Sequence, residues 1–366
     1  MKIFLLTNHV RPASLLNVLT AIFLSLSISS LSSVSAHENE GEAIDHATTH
    51  PVKSEADVKP VRTGAGDHVY DTVPGWLEQP AGEEIGNTHG QMVIDKAGNL
   101  YVTSDGKHSI LVYSKDGKYL RSFGKELSRV HGMQLVEEGG EEFIYIAHLG
   151  KSRIAKIKLD GTEVWSQGAP LKSGHYGEDG AGYKPTGIAV APNGKVYVVD
   201  GYGKNYAHIY SNEGVYEKSF GGRGKEGGKF QTCHGIAIDL RGDTPLLLIS
   251  DRENRRLQHF DLDGNFKAVI TEGLRRPCSV SIHGKYVAIA ELQARVTIID
   301  ENNKIVAHLG DNPNKKQWAQ NRVARDDWKD GIFTAPHGVC YDQDGNIFVM
   351  DWNFLGRVTR LERAKD

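Results

Sequence analysis

Three histidines, His131, His234 and His337, each precede a glycine and lie 103 and 103 residues apart. In a closed repeating fold such spacing carries equivalent positions round one axis. Three neutral imidazoles meeting there are the ligand set of a catalytic zinc ion, which needs nitrogens at about 2.0–2.1 Å and one open position. The plainer reading makes each a strand-entry residue, hydrogen-bonded to a backbone carbonyl in a water-filled channel. Two further side chains follow acids that close strands. Tyr202, in Asp200-Gly201-Tyr202, offers a phenol that could give or take a proton, the more so if a metal lowers its pKa from about 10. Arg252, in Asp251-Arg252-Glu253-Asn254, offers paired donors to a substrate carboxylate. His89 also precedes a glycine and could face the same channel. Cys278 could be a soft ligand, a disulfide partner of Cys233 or a buried thiol, because a disulfide depends on a Cβ separation that sequence does not show.

These residues are positioned by a repeat. Copies start at His89, His131, Thr186, His234, Cys278 and His337, at intervals of 42, 55, 48, 44 and 59 residues, near the roughly 40–50 of a four-stranded propeller blade with loop insertions. Each copy runs from a short apolar strand through a turn such as Asp342-Gln343-Asp344-Gly345 to a second strand. The expected fold is therefore all-β, a six-bladed β-propeller whose innermost strands line a channel and whose copy starts form a ring at one mouth. The second strands end at Asp105, Ala147, Asp200, Asp251, Glu291 and Asp351, where an acid ordinarily accepts local backbone hydrogen bonds. The last copy stops after residues 356–363 without a fourth strand, so the strand-like segment 67–73 is expected to pair there and close the ring. Loops 168–184 and 311–333, carrying His175, Tyr176, Trp318 and Trp328, either wall a pocket above the ring or decorate the surface.

Charge and composition exclude other classes. With 43 basic and 46 acidic residues, the net charge of −3 leaves no basic excess for a phosphate backbone, so no nucleic acid is expected as partner. Residues 1–36, with Lys2 and Arg11 ahead of a serine-broken apolar run ending Val34-Ser35-Ala36, read as a secretory signal. That run is too short and polar for the ~20 residues of a bilayer span, so export to the periplasm or beyond is expected, without stable membrane insertion. Residues 37–66, including His37, His46 and His50, lack an apolar period and read as a flexible leader, which leaves 67–366 for the propeller. Three cysteines are too few for a disulfide framework.

Over about residues 67–366 the chain resembles the NHL-repeat propellers and, within them, the lyase domain of the peptidylglycine alpha-amidating enzyme. The resemblance lies in Val130-His131-Gly132-Met133, Cys233-His234-Gly235-Ile236, Pro336-His337-Gly338-Val339, Asp200-Gly201-Tyr202-Gly203-Lys204-Asn205 and Asp251-Arg252-Glu253-Asn254. It implies a zinc ion on His131, His234 and His337, Tyr202 as catalytic base and Arg252 as an active-site arginine. The implied reaction is cleavage of a peptide ending in α-hydroxyglycine to a peptide amide and glyoxylate. The family's first-blade arginine falls at or next to Asp105 here, which becomes a substrate-contact position together with His89. The family's methionine two residues before the blade-6 histidine is Ala335, and its calcium-binding aspartate after that histidine is Gly338, which puts a structural calcium in doubt. The alternative function is a non-enzymatic NHL propeller that binds a protein or carbohydrate on its rim. A copper site at Cys278 lacks the Met-Cys-His spacing such centres use.

Overall fold

The computed structural model describes residues 58–80 and 83–365, so the segment read as a signal and most of the leader lie outside the described residues. The described strands form six antiparallel sheets, five of four strands and one of five. Hairpin grammar produces them. In the turn 342–346, Asp342 Oδ1 accepts the Asn346 amide at 2.8 Å, and Gly345 takes φ of 82°, a value that strains a residue carrying Cβ.

Each blade's inner strand touches the next: Met92–Ile94, Val130–Glu138, Gly187–Val190, Cys233–Asp239, Pro277–His283 and Pro336–Tyr341, with the last meeting the first. The ring is closed as expected, by His68–Thr72 pairing antiparallel with Arg357–Arg363 in the register Tyr70 to Arg363 and Thr72 to Leu361. One strand more than expected is present, because Arg62–Ala65 pairs with His68–Thr72 and adds residues read as leader to the sixth sheet. Its sequence, Arg-Thr-Gly-Ala, has no apolar alternation. Backbone pairing holds it, with the Arg62 guanidinium on Asp71 and Thr63 Oγ1 accepting the Gly310 amide at 2.8 Å.

The apolar core lies between blades rather than on the axis. Val296 and Ile298 of blade 5 pack on Val339, Ile347 and Val349 of blade 6, and Val93 and Tyr101 of blade 1 pack on Met133 and Ile144 of blade 2. Stability is thus supplied at the blade faces, which leaves the axis free for polar side chains. Tyr70 is 2% exposed and belongs to the cluster between blades 5 and 6. Tyr70→Ala is therefore expected to lower unfolding free energy by about 3–5 kcal/mol, the usual cost of emptying an aromatic core site, and denaturant midpoints will measure it.

Candidate metal centre at the channel mouth

The backbone breaks register where the histidines stand. Strand pairing shifts between Val130 and Gly132, between Cys233 and Ile236, and between Pro336 and Gly338, so His131, His234 and His337 each sit at a bulge. A bulge turns its residue out of the alternating pattern and is a common way to re-aim a side chain at a site. The following glycines let adjacent inner strands crowd the axis. A Cβ on Gly235 would stand 2.4 Å from the Cys278 carbonyl oxygen, and one on Gly132 2.8 Å from Gly187 Cα. The pairing of histidine with glycine is thereby explained, since the imidazole needs the neighbouring blade close. Gly235→Ala is expected to spread blades 4 and 5 and to weaken metal binding at least tenfold, as read by chelator competition, while distant blades keep their strand content.

His131, His234 and His337 are 3%, 2% and 1% exposed. Their ring centroids form a nearly equilateral triangle with sides of 4.8, 4.8 and 4.7 Å. Three imidazoles on one tetrahedral zinc ion stand about 5 Å apart by centroid, so the rings are spaced for one ion, while their ligand atoms fall into two groups that both include His337 and separate His131 from His234. Each Nδ1 meets a carbonyl of the next blade: His131 to Thr186 O at 2.7 Å, His234 to Cys278 O at 2.9 Å and His337 to Gly90 O at 3.0 Å. A carbonyl only accepts, so all three Nδ1 atoms carry the proton and the Nε2 lone pairs are left for the axis. That tautomer and that outer partner are what a metal-binding histidine requires. Burial, then Arg252, His337 and His131, hold His234 well below the ordinary value of 6.5, keeping it neutral.

Tyr202 and Arg252 are brought to the same place. Tyr202 Oη lies 2.9 Å from His234 Nε2 and 3.3 Å from His131 Nε2, and accepts from Arg252 Nη1 at 3.1 Å. The Asp200-Gly-Tyr-Gly loop that presents it is tightly wound. Asp200 accepts the Lys184 and Lys204 amides at 2.6 Å each, and a Cβ on Gly201 would strike the Cys233 carbonyl oxygen at 2.0 Å. Burial pushes the Tyr202 phenol up from its usual value, against the downward pull of Arg252. Arg252 is itself buried; that burial opposes its charge, while Tyr202, Cys278 and Glu253 favour it and raise it overall. Its Nε donates to Glu253 at 2.9 Å, and Arg276 donates to the same carboxylate at 2.6 Å. Glu253 and Arg276 escaped the sequence reading, although Glu253 stands within the quoted Asp-Arg-Glu-Asn run.

His89 and Asp105 adjoin this cluster. The His89 ring lies 4.9 Å from that of His131 and 4.7 Å from that of His337, stacked on Trp352 at 5.0 Å. Asp105 Oδ2 is 3.4 Å from His89 Nδ1 and accepts from Asn87 Nδ2 at 3.1 Å. Ligand atoms within 4.8 Å of one another form two groups of described residues, His89 with His131 and His337, and His234 with Cys278 and His337. Cys278, Cys233 and Cys340 are all free buried thiols, so no Cys278–Cys233 bond forms. Burial raises the Cys278 thiol to about 11, against Arg252 and Arg276.

The strand-ending acids serve the fold. Asp251 accepts the Gln231 amide at 2.7 Å and Arg256 Nε at 2.8 Å, and Asp351 accepts the Ala335 amide at 2.7 Å, which ties down the residues leading to each ring histidine. In blade 2 the neighbour of Ala147, His148, takes this part through Nε2 to Glu126 O at 3.0 Å. The long loops are fastened into the blades. Tyr176 donates to Asp200 at 2.6 Å and His175 stacks on Tyr206 at 3.6 Å. Trp318 and Trp328 are half-buried, bonded through Nε1 to Asn312 O and Val323 O, with Arg275 4.1 Å above the Trp318 ring. A Cβ on Gly338 would stand 3.0 Å from both Gly90 O and Met350 Cε, a tight fit in which the Met350 side chain would have to shift. No helix among the described residues is long and apolar enough to cross a membrane.

No family model matches the chain. Human NHL repeat-containing protein 3 is 27% identical over 248 residues, 63% of this chain and 70% of the human protein. The Mus musculus protein of that name is 27% identical over 61% of its own length. The Caenorhabditis elegans protein named probable peptidyl-alpha-hydroxyglycine alpha-amidating lyase is 27% identical over 155 residues, 42% of this chain and 43% of its own. Among solved structures, a gluconolactonase from Xanthomonas campestris matches with a TM-score of 0.57 at 13% identity, over 84% of this chain and 95% of its own. A streptogramin B lyase matches with 0.54 at 13% identity, over 78% and 95%. At those identities the structures bear on fold alone. A closed ring of six blades, with histidine-led inner strands and these distant sequence matches, makes the chain a six-bladed β-propeller distantly related to the NHL-repeat proteins.

Proposed function

We propose that this protein is an exported, metal-dependent carbon–nitrogen lyase that cleaves a small or peptide substrate bearing an α-hydroxyl and a carboxylate, in the manner of peptidylamidoglycolate lyase. The observation that carries the proposal is the set of three Nε2 atoms, each fixed by a proton on its own Nδ1, with the Tyr202 phenol and the Arg252 guanidinium against them. His131, His234 and His337 would hold zinc. Bound there, the ion would polarise the substrate hydroxyl and favour the ionised phenol. Tyr202 takes the hydroxyl proton as the carbon–nitrogen bond breaks. The departing amide nitrogen takes up a proton, and the former carbinol carbon leaves as the aldehyde of glyoxylate. Arg252 has two duties, holding the phenol oxygen and offering charge to the substrate carboxylate. Asp105 places a carboxyl group at or next to the position of an arginine in the resembled lyases, so the substrate carboxylate is assigned to the Arg252 side.

Glyoxylate release from an α-hydroxyglycine-extended peptide tests the reaction. Zinc-loaded protein is expected to release it well above the spontaneous rate, and chelator to remove the excess. A zinc-loaded protein with no excess over the spontaneous rate overturns the lyase assignment. Rim docking has less support, because, of the exposed large apolar residues, Leu120, Val164, Phe266 and Ile305 sit on the outer strands of four different blades.

A further inference from the structure

We infer that Tyr176, from the long loop 168–184, is a positioning residue for Tyr202: backed by His208, its hydroxyl holds the Asp200 carboxylate that closes the loop carrying the phenol. For its effect on turnover this rests on the lyase reading above; for the placement of Tyr202 it rests on geometry alone.

Asp200 closes that loop with its side chain. Oδ1 accepts the Lys184 amide, where the long loop ends, and Oδ2 accepts the Lys204 amide, so the carboxylate spans the turn with Tyr202 at its middle. The main chain agrees, since Asp200 O accepts the Gly203 and Asn205 amides at 3.2 and 2.9 Å. Beyond the turn, Asn205 Oδ1 accepts the amide of Thr232, two residues before His234. The phenol is thus suspended between the Asp200 carboxylate and the chain that delivers His234.

A directed chain of hydrogen bonds backs the carboxylate. Tyr176 Oη donates to Asp200 Oδ2 at 2.6 Å, which spends its only proton, so His208 Nε2 at 2.8 Å is the donor to that oxygen. Burial, with His175 adding to it, holds the His208 imidazole down at about 3, so the ring is neutral and Nδ1 accepts from Ser219 Oγ at 2.8 Å. Ser219 Oγ in turn accepts from Tyr216 Oη at 2.8 Å. The chain therefore runs from the outer strand of blade 3, Tyr216–Gly221, through the strand Tyr206–Tyr210 to the mouth. Tyr176, His208 and Asp200 are 7%, 0% and 0% exposed, so bulk water does not stand in for a lost member. Burial also lifts the Asp200 carboxyl to about 6, against the Tyr176 hydroxyl and the two amides, and each donor helps to keep it ionised at neutral pH.

Steady-state kinetics of glyoxylate release by the zinc-loaded full chain, well below its melting temperature, test this beside crystal structures of the metal-free variants. Tyr176→Phe removes one oxygen and is expected to lower kcat about 10–100-fold, the cost of misplacing a reacting group by about 1 Å, with KM within about twofold and zinc content unchanged. His208→Leu should match it, whereas His208→Gln, which can still offer an N–H to Tyr176, should recover most of the loss. In metal-free Tyr176→Phe the Tyr202 Oη is expected to leave its place 2.9 Å from His234 Nε2. A kcat within a fewfold of the unaltered protein, or a Tyr202 Oη that has not moved, overturns the inference. If the unaltered protein releases no glyoxylate, the lyase reading falls and the crystal structures alone decide the placement. If Tyr176→Phe does not fold, the two His208 variants carry the test.

Discussion

His234→Ala is expected to abolish stoichiometric zinc binding, and with it all metal-dependent turnover, in a protein that still folds. His234 belongs to the triangle of ring histidines and to the group it forms with Cys278 and His337, and the Cys278 thiol, which burial raises to about 11, is a poor replacement at its corner near neutral pH. The fold loses little by comparison. The substitution leaves the Cys278 carbonyl without its donor, which costs about 1–3 kcal/mol, while the interblade cores are untouched. Metal analysis after gentle purification and a melting curve in chelator separate the two effects. Equal zinc in the variant and the unaltered protein sinks the assignment. The same residue sets the pH dependence. Zinc needs the neutral ring, and burial with the nearby Arg252, His337 and His131 holds the His234 pKa well below 6.5. A group depressed in the folded state stays neutral as pH falls through the ordinary histidine range. Zinc retention is therefore expected to persist below pH 6.5 and to fail only well under it, as titration against a pH-insensitive metal probe would show.

The repeat made most of this visible in the sequence. Six copy starts named the blade count and placed the three histidines on alternate blades, because a closed ring converts repeat number into angle. The closing strand was legible from the missing fourth strand of the last copy. The strand Arg62–Ala65 was not, because it is held by backbone pairing and bears no hydrophobic pattern. The carbonyls behind the histidines were equally hidden. Thr186 O, Cys278 O and Gly90 O belong to neighbouring blades, and an acceptor on the main chain leaves no mark in residue type. The glycines after the histidines were seen as a motif, but their reason is a distance between backbones. For the long loops, which residue type left open between pocket wall and surface decoration, the structure shows Tyr176 and Trp318 directing their polar atoms into their own blades and loops.

Tyr202→Phe is expected to lower kcat by about 10²–10⁴-fold, the range for losing a positioned acid or base, with zinc content unchanged. The separation is built into the geometry. The tyrosine ring packs against those of His131 and His234 at 5.1 and 5.4 Å, and phenylalanine keeps that packing while removing only Oη. What goes is the atom that stands 2.9 Å from His234 Nε2 and accepts from Arg252. Arg252 keeps its bond to Glu253, so its charge remains compensated and the loop has no new buried ion to expel. A large fall in kcat with little change in KM and full metal occupancy assigns Tyr202 to proton transfer. Loss of zinc together with activity would make the phenol a support for the ligands instead. Turnover retained within a fewfold would pass the base to another group at the mouth. Burial raises this phenol despite the downward pull of Arg252 and, more weakly, Arg276, so the ionised form is favoured only by the further positive charge that a bound cation brings. For that reason the Tyr202 contribution should vanish in metal-free protein, where Tyr202→Phe and the unaltered chain are expected to be equally inert.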